Sequence, residues 1–560
     1  MKDIPFDYKL RQPKEDAGLH LAPNERCLLE WFLARLQRTD PDIIIGHNIL
    51  DNHFDLILTR CQKYNLKNWS KLGRVKKTEI PKMKNNRSGY YACAGRSVCD
   101  LKISAKELIR SRAYDLHTLW DVVMASGLNS KRFRKEFSKE FNQKQIFNAF
   151  SDCDGLFPFV KNQLVIKTYQ TFQMICELQA IPLAFQITKI CGNILNRTFA
   201  GGRSERNEYL LLHAFQKTNR YLWPDKAVYK TKKERAEENE ENTNTAKYEG
   251  GLVLEPKKGF YDKYVLLLDF NSLYPSIIQE YNVCFTSVDQ TQTEIVEPET
   301  EGGLGILPLQ IRELVSTRRT VKKAMNSERD PAKKAQLDIR QKALKLTANS
   351  MYGCLGFSMS RFQAMPLAAL VTRKGREALM KAKELAESMG LDVIYGDTDS
   401  IMIHTNTNDF DEVLKIGQKV KVAVNRLFSL LEIEIDGVFR SMLLLKKKKY
   451  AALVDEGTDS KGDHFYKKEL KGLDIVRRDW CTLAKQTGEW VVGQILTPDI
   501  TMEEAVTTIR EKLENIKDSI SSMSPAQFII TKELARDPAN YPEKSPQAHA
   551  RYPKKFKSYT

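Results

Sequence analysis

Residues 393–403 read VIYGDTDSIMI, so Asp397 and Asp399 stand two apart between apolar segments typical of a buried β-strand. In an extended backbone, residues i and i+2 point to the same face, which predicts that both carboxylates point to one place. Two like charges this close repel, and burial adds a desolvation cost that a bound divalent cation would offset. The alternative is a solvent-exposed hairpin tip, because Gly-Asp-Thr-Asp-Ser is also ordinary turn composition.

The segment LLLDFNSLYPSII (266–278) supplies a third carboxylate. Asp269 ends a run of four apolar residues, which places it at the C-terminal end of a predicted buried strand. A third carboxylate next to the first two would complete an oxygen-rich site of the kind that Mg²⁺ prefers. Two Mg²⁺ ions bridged by shared aspartates would stabilise the attacking and leaving oxygens of an in-line displacement at phosphorus.

A long helical region extends from about Leu309 to Tyr352, and Asp330-Pro331 is its one clear breaker. Because proline disfavours helix in the residue before it, two helices meeting at this dipeptide are predicted. The region is therefore interpreted as an αα-hairpin.

Cationic side chains recur on these helices. Arg318 and Lys322 are four residues apart, and Lys345, Asn349 and Tyr352 follow at i, i+4 and i+7, so each set shares one helix face. Three cations and an amide facing a metal site would suit a triphosphate. The alternative is an ordinary solvated helix face.

Composition sets the class of protein. The chain has 560 residues, 42% of them hydrophobic, which is enough for a sizeable core and for about three or four domains. Its net charge of +17 favours a polyanionic partner, nucleic acid first and an anionic membrane second, although a solvated basic surface is the alternative. The ten cysteines include no CxxC pair and are interpreted as reduced thiols of an intracellular protein. No signal peptide or eighteen-residue apolar run is found, which predicts a protein that is neither secreted nor membrane-spanning.

The remaining segments differ in texture. Residues 1–205 mix short apolar runs with amphipathic stretches, as α/β domains do. The other predictions are a mobile loop over 230–247, a polar insertion over 289–303, strands over 391–454, helix over 501–535, and a frayed tail over 545–560.

Three segments carry a family resemblance. DFNSLYPSII (269–278), KLTANSMYG (345–353) and YGDTDS (395–400) resemble, in this order, motifs A, B and C of the B-family (polymerase-alpha-like) DNA polymerases, and the alpha subfamily is the closest resemblance. Four further blocks agree with it: YEGGLVLEP (248–256), TRKGR (372–376), LLLKKKKYAAL (443–453) and KGLDIVRRDWC (471–481). The resemblance covers nearly the whole chain up to about residue 545.

The resemblance implies a multidomain α/β and α+β fold. A B-family polymerase right hand, with an antiparallel-sheet palm, helical-hairpin fingers and a partial helical thumb, would follow a partial RNase H-like exonuclease domain. The implied boundaries are 1–205 for the exonuclease-like domain, 206–305 and 358–495 for the palm, 306–357 for the fingers, and 496–560 for the thumb with its frayed tail. The chain is shorter than the family pattern at both ends, which suggests a fragment or an alternative gene model.

The resemblance also implies site residues. Asp269 and Asp399 would be direct ligands of two Mg²⁺ ions, with Phe270 as a further metal contact and Asp397 in a supporting catalytic role. The residues implied in binding the incoming dNTP are Ser272 and Leu273 through their amides, Tyr274 under the sugar, where it would exclude a 2′-hydroxyl, and Arg318, Lys322, Lys345, Asn349 and Tyr352.

Contacts to primer–template DNA are implied for a further set: Gly250, Thr372, Arg376, Lys447, Lys448, Lys449, Tyr450, Lys471, Arg477 and Arg478. The implied partners are primer–template DNA, RNA-primed DNA and dNTPs, with no membrane. In a full-length protein they would include primase and an accessory B subunit, although the cysteine-rich region that docks them is not found here. The implied location is the nucleus, in replication initiation and lagging-strand priming.

A second activity is weighed against this family. GHNILDNHFDL (46–56) resembles the second exonuclease motif, so Asp55 is a candidate ligand, although a surface aspartate is the simpler interpretation. The Asp-x-Glu of the first motif is missing, and VIKTYQTFQM (165–174) lacks the aspartate of the third. An exonuclease fold without exonuclease activity is therefore predicted. The rival to a polymerase is a non-catalytic nucleic-acid-binding or assembly fragment, and a nuclease is a weaker third alternative.

Overall fold

The computed structural model describes residues 22–81, 86–109, 111, 113–124, 164–218, 248–288, 298, 303–357, 360–458, 464–476, 480–498 and 500–530. The chain divides into two compact units. The first combines 1–230 with 309–363, and the second combines 231–308 with 364–560.

The first unit is built mainly of helices around a small parallel sheet. Its strands are β1 (Ile43–Gly46) and β2 (Ser97–Asp100), paired from Ile43 opposite Ser97 to Gly46 opposite Asp100. Its helices up to residue 218 are α1 (Glu25–Thr39), α2 (Phe54–Lys63), α3 (Asn86–Ala92), α4 (Leu101–Leu108), α5 (Leu116–Val123), α6 (Ile166–Glu177), α7 (Ala180–Cys191), α8 (Leu195–Phe199) and α9 (Arg203–Thr218). The predicted α/β texture of this region is confirmed.

Local signals explain where several of these helices begin. Asn24 accepts the amide of Cys27 at the start of α1, and Asp100 accepts the amide of Lys102 at the start of α4. Such caps satisfy amides that the first helical turn leaves without a partner. The apolar faces of these helices cover both sides of the β1–β2 pair, with Val98 in one core cluster and Cys99 in the next.

Two long helices continue the first unit. They are α11 (Ile306–Ser327) and α12 (Pro331–Leu355), so the predicted break at Asp330-Pro331 is confirmed. Asp330 accepts the amide of Ala332 as N-cap, and the proline occupies the first turn, where it has no amide to leave unpaired. Ile339 and Ala343 of α12 pack in one cluster with Leu183 and Ile187 of α7.

The second unit contains an antiparallel sheet of seven strands. The strands are β3 (Gly259–Tyr261), β4 (Val265–Phe270), β5 (Asp392–Asp397), β6 (Ser400–His404), β7 (Ile433–Lys446), β8 (Lys449–Thr458) and β9 (His464–Lys471). The order is β5-β6-β4-β7-β8-β9, and β3 pairs with β7. Strand β4 is therefore central, between β6 and β7, which explains its almost continuous apolar sequence.

The helices of this unit are α10 (Leu273–Glu280), α13 (Met365–Ser388), α14 (Phe410–Asn425), α15 (Thr482–Leu496) and α16 (Met502–Ser519). Helices α13, α14 and α15 pack on the sheet, whereas α10 packs on α13 and α16 packs on α15. Helix α14 packs on the face of the sheet that carries Leu266 and Ile435, because a Cβ on its Gly417 would touch both side chains. Val265 and Leu267 alternate to the opposite face, where they join a core cluster with Tyr395.

The prediction of strands throughout 391–454 is wrong over 410–425, which form helix α14. Asp409 accepts the amides of Asp411 and Glu412, and Val413, Val420 and Val424 repeat at helical spacing and are buried. The helical prediction over 501–535 is confirmed only for α16, which begins with a capping box of Thr501 and Glu504 and ends at Ser519. Short 3-10 turns follow at Ile520–Ser522 and Pro525–Phe528, and 531–535 lie outside the described residues.

Other predictions have separate outcomes. The loop at 230–247, most of the insertion at 289–303 and the tail at 545–560 lie outside the described residues. The nine described cysteines are free thiols. Within the described part of the chain, no single helix is long and apolar enough to cross a membrane; α6 and α7 meet that test only as a pair, bent by 44°.

Gly472, which follows β9, has a φ of +63° and lies against the tip of the β7–β8 hairpin, where a Cβ would collide with the carbonyl oxygen of Lys448. We expect Gly472→Ala to lower the free energy of unfolding by about 2–4 kcal/mol, since it combines a left-handed backbone with overpacking. Urea unfolding measures this change.

Gly457→Ala is the matched control for this substitution. Gly457 also has a positive φ, of +97°, but a Cβ added there would meet no other atom within 4 Å. The control should therefore show only the backbone cost, of about 1–2 kcal/mol. Equal losses in the two variants would contradict the collision at the hairpin tip.

Candidate functional site

The Asp397–Asp399 pair lies at a tight turn, and the prediction that both residues belong to one extended strand is wrong. Strand β5 ends at Asp397 and β6 begins at Ser400. Thr398 between them has a φ of +61°, and the amide of Asp399 donates to the carbonyl oxygen of Asp397 at 2.7 Å. The turn composition of Gly-Asp-Thr-Asp-Ser therefore determines the local structure, as in the hairpin alternative.

This turn is nevertheless half-buried, because residues 252–254 run beside it. The amide of Thr398 donates to the Leu252 carbonyl at 2.8 Å, and the amide of Leu254 donates to the Gly396 carbonyl at 2.9 Å. Val253 also forms an isolated antiparallel bridge with Asp397. Both aspartates are only partly exposed as a result.

Asp269 lies on the neighbouring strand, as the sequence predicts. In the register of β4 and β6 it stands opposite Ser400, and the amide of Phe270 donates to the Asp399 carbonyl at 2.7 Å. Asp269 is half-buried, and Phe270 beside it is buried. The sheet thus brings Asp269 next to the turn that carries Asp399, although 129 intervening residues separate them in the sequence.

The electrostatics of these carboxyl groups are strongly coupled. Burial, followed by the charges of Asp399 and Asp436, raises the pKa of Asp269 to about 7. Burial also raises the pKa of Asp399, with smaller contributions from Asp397 and Asp436, although Lys448 and the amide of Asp399 itself act in the opposite direction. Carboxylates whose pKa values rise in this way would be stabilised by a bound cation.

Asp436 is a nearby acid that the sequence reasoning missed. The pairing of β4 with β7 shifts at this point, from Leu267 opposite Gly437 to Leu268 opposite Ile435, so Asp436 is the extra residue of a β-bulge. Bulges redirect a side chain relative to regular alternation. The one signal in the sequence is the Asp-Gly dipeptide inside the strand pattern IEIDGVF (433–439).

Asp397 has a different set of partners from Asp399. Its carboxylate accepts from Lys448 Nζ at 2.8 Å, from the Thr398 hydroxyl at 3.0 Å and from the Tyr395 hydroxyl at 3.4 Å. The Tyr395 hydroxyl also accepts the amide of Lys448 at 2.8 Å. Asp397 therefore has a cation of the protein as its counterion.

The donor set determines which metal this site could hold. Within the described residues, no group of three or more His, Cys, Asp or Glu side chains is arranged to hold a metal ion. Asp269 and Asp399, with Asp436 close enough to affect the pKa of both, offer carboxylate oxygens only. Mg²⁺ commonly binds through one or two carboxylates and completes its coordination with water and substrate phosphate, so this donor set fits Mg²⁺.

Residues after β4 form a turn into helix α10. Ser272 has a left-handed backbone, with φ +49° and ψ +52°, and no side-chain hydrogen bond caps the helix, which begins at Leu273. The first amides of a helix have no intrahelical acceptor and can bind an anion. Tyr274 is half-buried close to Gly251, where a Cβ would approach the Tyr274 hydroxyl oxygen to 3.1 Å.

Three of the predicted DNA contacts meet at residues 249–250. Arg376 Nη1 donates to the carbonyl oxygens of Glu249 and Gly250 at 3.0 and 2.8 Å, and the Thr372 hydroxyl donates to Glu249 at 2.8 Å. Thr372 is completely buried, so its hydroxyl anchors this segment from beneath. Gly250 and Arg376 are more accessible.

The predicted DNA contacts Lys447, Lys448 and Lys449 lie at the tip of the β7–β8 hairpin. All three have an acidic partner: Lys447 with Glu255 at 2.6 Å, Lys448 with Asp397, and Lys449 with Asp474 at 2.8 Å. Tyr450 is buried and donates to Glu469, which also pairs with Lys471 at 3.0 Å. Arg477 and Arg478 lie outside the described residues.

The remaining predicted nucleotide contacts belong to the first unit. On α11, Lys322 is exposed, whereas Arg318 is half-buried and its Nε lies 3.4 Å from Gln341 of α12. Burial lowers the pKa of Arg318. On α12, Lys345 and Asn349 are exposed and Tyr352 is half-buried.

The candidate exonuclease residue Asp55 is an exposed side chain in the first turn of α2. The nearby buried acid is Asp100, which accepts the amides of Asn48, Leu50 and Lys102. These bonds give Asp100 a structural role between β2 and the 46–56 segment.

The raised pKa of Asp269 predicts a pH-dependent stability. A carboxyl whose pKa is higher in the folded than in the unfolded state contributes stability below its unfolded pKa of about 4, and this contribution is lost as the pH rises through 7. With EDTA present, Asp269→Asn should therefore raise the free energy of unfolding at pH 8 by about 1–2 kcal/mol more than at pH 5. Urea unfolding at both pH values, with Asp392→Asn at the exposed start of β5 as control, measures this difference. A difference no larger than that of the control would contradict the assignment.

Comparison with known proteins agrees with the resemblance carried by the motifs. The sequence profile of DNA polymerase family B matches residues 193–559, and that of the exonuclease domain of DNA polymerase family B matches residues 2–119. The mixed helix and sheet structure, with its antiparallel sheet, is consistent with these domains.

Several curated relatives are similar over almost the whole chain. The DNA polymerase alpha catalytic subunits of Xenopus laevis and Mus musculus are each 48% identical to it, over 98% of this chain and 38% of the relative. That of Drosophila melanogaster is 43% identical, over 97% of this chain and 37% of the relative. The chain thus spans less than two fifths of the length of these relatives. Because the polymerase profile matches more than half of the chain, the protein belongs to DNA polymerase family B.

Proposed function

We propose that this chain is a template-directed DNA polymerase that extends primer 3′-ends with dNTPs. The observation that supports this most directly is the position of Asp269 beside the Asp397–Asp399 turn, where burial and the neighbouring acids raise its pKa. An all-oxygen, mutually repelling set of carboxylates is suited to Mg²⁺ and to phosphoryl chemistry.

Asp269 and Asp399 would hold two Mg²⁺ ions, with Phe270 as a neighbouring contact and Asp397 as a supporting group. When bound, the two ions would lower the pKa of the primer 3′-hydroxyl and neutralise charge on the triphosphate. Asp397, which has Lys448 as its counterion, is the weaker candidate for a ligand.

Other residues would bind and orient the nucleotide. The amides of Ser272 and Leu273 at the start of α10 would donate to phosphate oxygens. Tyr274, held close to Gly251, would lie under the sugar and exclude a 2′-hydroxyl. The proposed contacts from the first unit are Arg318, Lys322, Lys345, Asn349 and Tyr352.

Primer–template DNA, including RNA-primed DNA, would bind through sequence-independent contacts. The exposed candidates are Gly250 beside the turn and Lys447, Lys448 and Lys471 at the hairpin, and Arg376 and Lys449 are partly exposed. Arg477 and Arg478, which lie outside the described residues, complete the proposed set. Thr372 and Tyr450, both buried, would act by supporting their neighbours.

The segments of the chain would form the separate domains of this polymerase. Residues 206–305 and 358–495 would form the palm, 306–357 the fingers and 496–560 a partial thumb. Residues 1–205 would be an exonuclease-like domain without proofreading activity. The segment 165–174, which lacks the aspartate of the third motif, and the exposed position of Asp55 support this absence of activity.

We further propose a role in replication initiation and lagging-strand priming, in the nucleus. The similarity to DNA polymerase alpha catalytic subunits supports the DNA polymerase activity on which this role depends. In the whole protein, primase and an accessory B subunit would be partners. The alternative, a non-catalytic nucleic-acid-binding or assembly fragment, differs from the polymerase in one measurable property, which is nucleotide incorporation.

Primer extension with Mg²⁺ and dNTPs tests the proposed activity. Asp399→Asn should lower incorporation by about 10³-fold or more, because the metal would lose a charged ligand. Asp262 is an exposed acid just before the start of β4, so Asp262→Asn should leave incorporation unchanged. If the folded wild-type chain binds primer–template duplex but incorporates nothing, the non-catalytic alternative is correct.

The contact of Lys448 predicts a change in the pH dependence of incorporation. Lys448 lowers the pKa of Asp399, so Lys448→Met should raise it and move the acid limb of the pH–rate profile to higher pH. Lys447→Met, which removes a lysine paired with Glu255, is the matched control and should leave this limb in place. Identical profiles for the two variants would contradict the assigned effect of Lys448.

A further inference from the structure

A basic pocket lies on the surface of the first unit, formed within that unit alone. Its volume is about 490 Å³, within the range of ligand pockets. It lies between the end of α1, the short helical turn at Lys67–Leu72 with the following loop to Lys76, and Arg96 just before β2. None of these residues belongs to the proposed polymerase site.

The pocket has an excess of positive charge. Its charged lining consists of five cations, Lys67, Lys71, Arg74, Lys76 and Arg96, and one carboxylate, Asp40. Across the described residues of this unit, Lys67, Lys71 and Lys76 have no ion-pair partner. Clustered cations without counterions repel each other, and a bound anion would relieve that repulsion.

The two arginines form the fixed base of the pocket. Arg74 donates to Asp40 at 2.9 Å, to Asp42 at 2.7 Å and to the carbonyl of Gly95 at 3.1 Å, so its hydrogen bonds are used internally. Arg96 donates from Nη1 to Asp40 and to the Pro41 carbonyl, both at 2.7 Å. Asp40 is thereby neutralised, which leaves the three lysines as the free charges of the pocket.

Arg96 also has an unused donor. Its side chain is only 1% exposed, and its buried Nε has no hydrogen-bond partner among the described residues. A buried guanidinium N–H without an acceptor costs free energy, and native structures rarely leave one unpaired. Because Nε is closed off from solvent, Arg96 would act on an anion in the pocket through its charge.

We propose that this pocket binds a phosphate group, with Lys67, Lys71 and Lys76 as the contacting cations and Arg96 as a buried positive charge at its base. Phosphate carries several acceptor oxygens and a charge that such a cluster complements. Two sources share this chemistry, the backbone of a single-stranded nucleic acid and a free polyphosphate. The proposal concerns only residues of the first unit and does not depend on the catalytic carboxylates.

The test compares two triple variants of the full chain. The pocket variant, Lys67→Ala/Lys71→Ala/Lys76→Ala, removes the three free charges of the pocket. The control variant, Lys415→Ala/Lys419→Ala/Arg426→Ala, removes three cations from a groove on α14. Helix α14 covers the sheet face opposite to that predicted for Asp269. Binding of fluorescein-labelled oligo(dT) is followed by anisotropy across salt concentrations, and binding of tripolyphosphate by calorimetry.

We expect the pocket variant to bind oligo(dT) about tenfold more weakly at low salt and to lower the slope of log K against log salt by about two. The α14 variant should change the slope much less. If the pocket variant loses tripolyphosphate binding but keeps the wild-type slope for oligo(dT), the pocket binds free polyphosphate. Equal effects of the two variants on both probes, or no effect of the pocket variant on either, would overturn the proposal.

Discussion

The constraint on which the second unit depends is the repulsion among half-buried carboxyl groups at the ends of adjacent strands. Burial alone disfavours the charged form of Asp269, and the acids nearby add to that cost. Such an arrangement persists only because the surrounding sheet fixes it. Asp269 lies on the central strand β4, which is paired on both sides, so its backbone cannot move away from the turn without breaking two strand pairings.

Much of the surrounding structure can be understood as support for that turn. Residues 252–254 run beside it and take up backbone hydrogen bonds of β5. Arg376 and the buried Thr372, both on α13, fix the start of this segment through the carbonyls of Glu249 and Gly250. A helix, an irregular segment and a hairpin turn are thus joined by hydrogen bonds to main-chain atoms, which orient without adding charge.

Sequence reasoning succeeded where the signals are local. The helix break at Asp330-Pro331 depends on a capping carboxylate and a proline, and the position of Asp269 close to the end of β4 depends on one apolar run. It failed where tertiary register decides. The spacing of Asp397 and Asp399 predicts a shared face only for an extended backbone, whereas Thr398 has a left-handed backbone and forms a turn. Asp436 reaches the site only because β7 bulges against β4. The pairing of Lys448 with Asp397 joins residues 51 apart through the meeting of two hairpins, which no spacing in the sequence could indicate.

This ion pair has a thermodynamic consequence. Lys448 is at the same time a candidate contact for a polyanionic strand and the counterion of Asp397, with an effect on the ionisation of Asp399. A phosphate that competes for its ammonium group would weaken the pair and change the charge balance at the turn. By reciprocity, a cation bound at the turn would compete with Lys448 for Asp397. The released lysine could then bind a phosphate of the nucleic acid. Binding of a nucleic-acid strand and binding of the metal would then be linked through one side chain, that of Lys448. Neither hairpin would need to move.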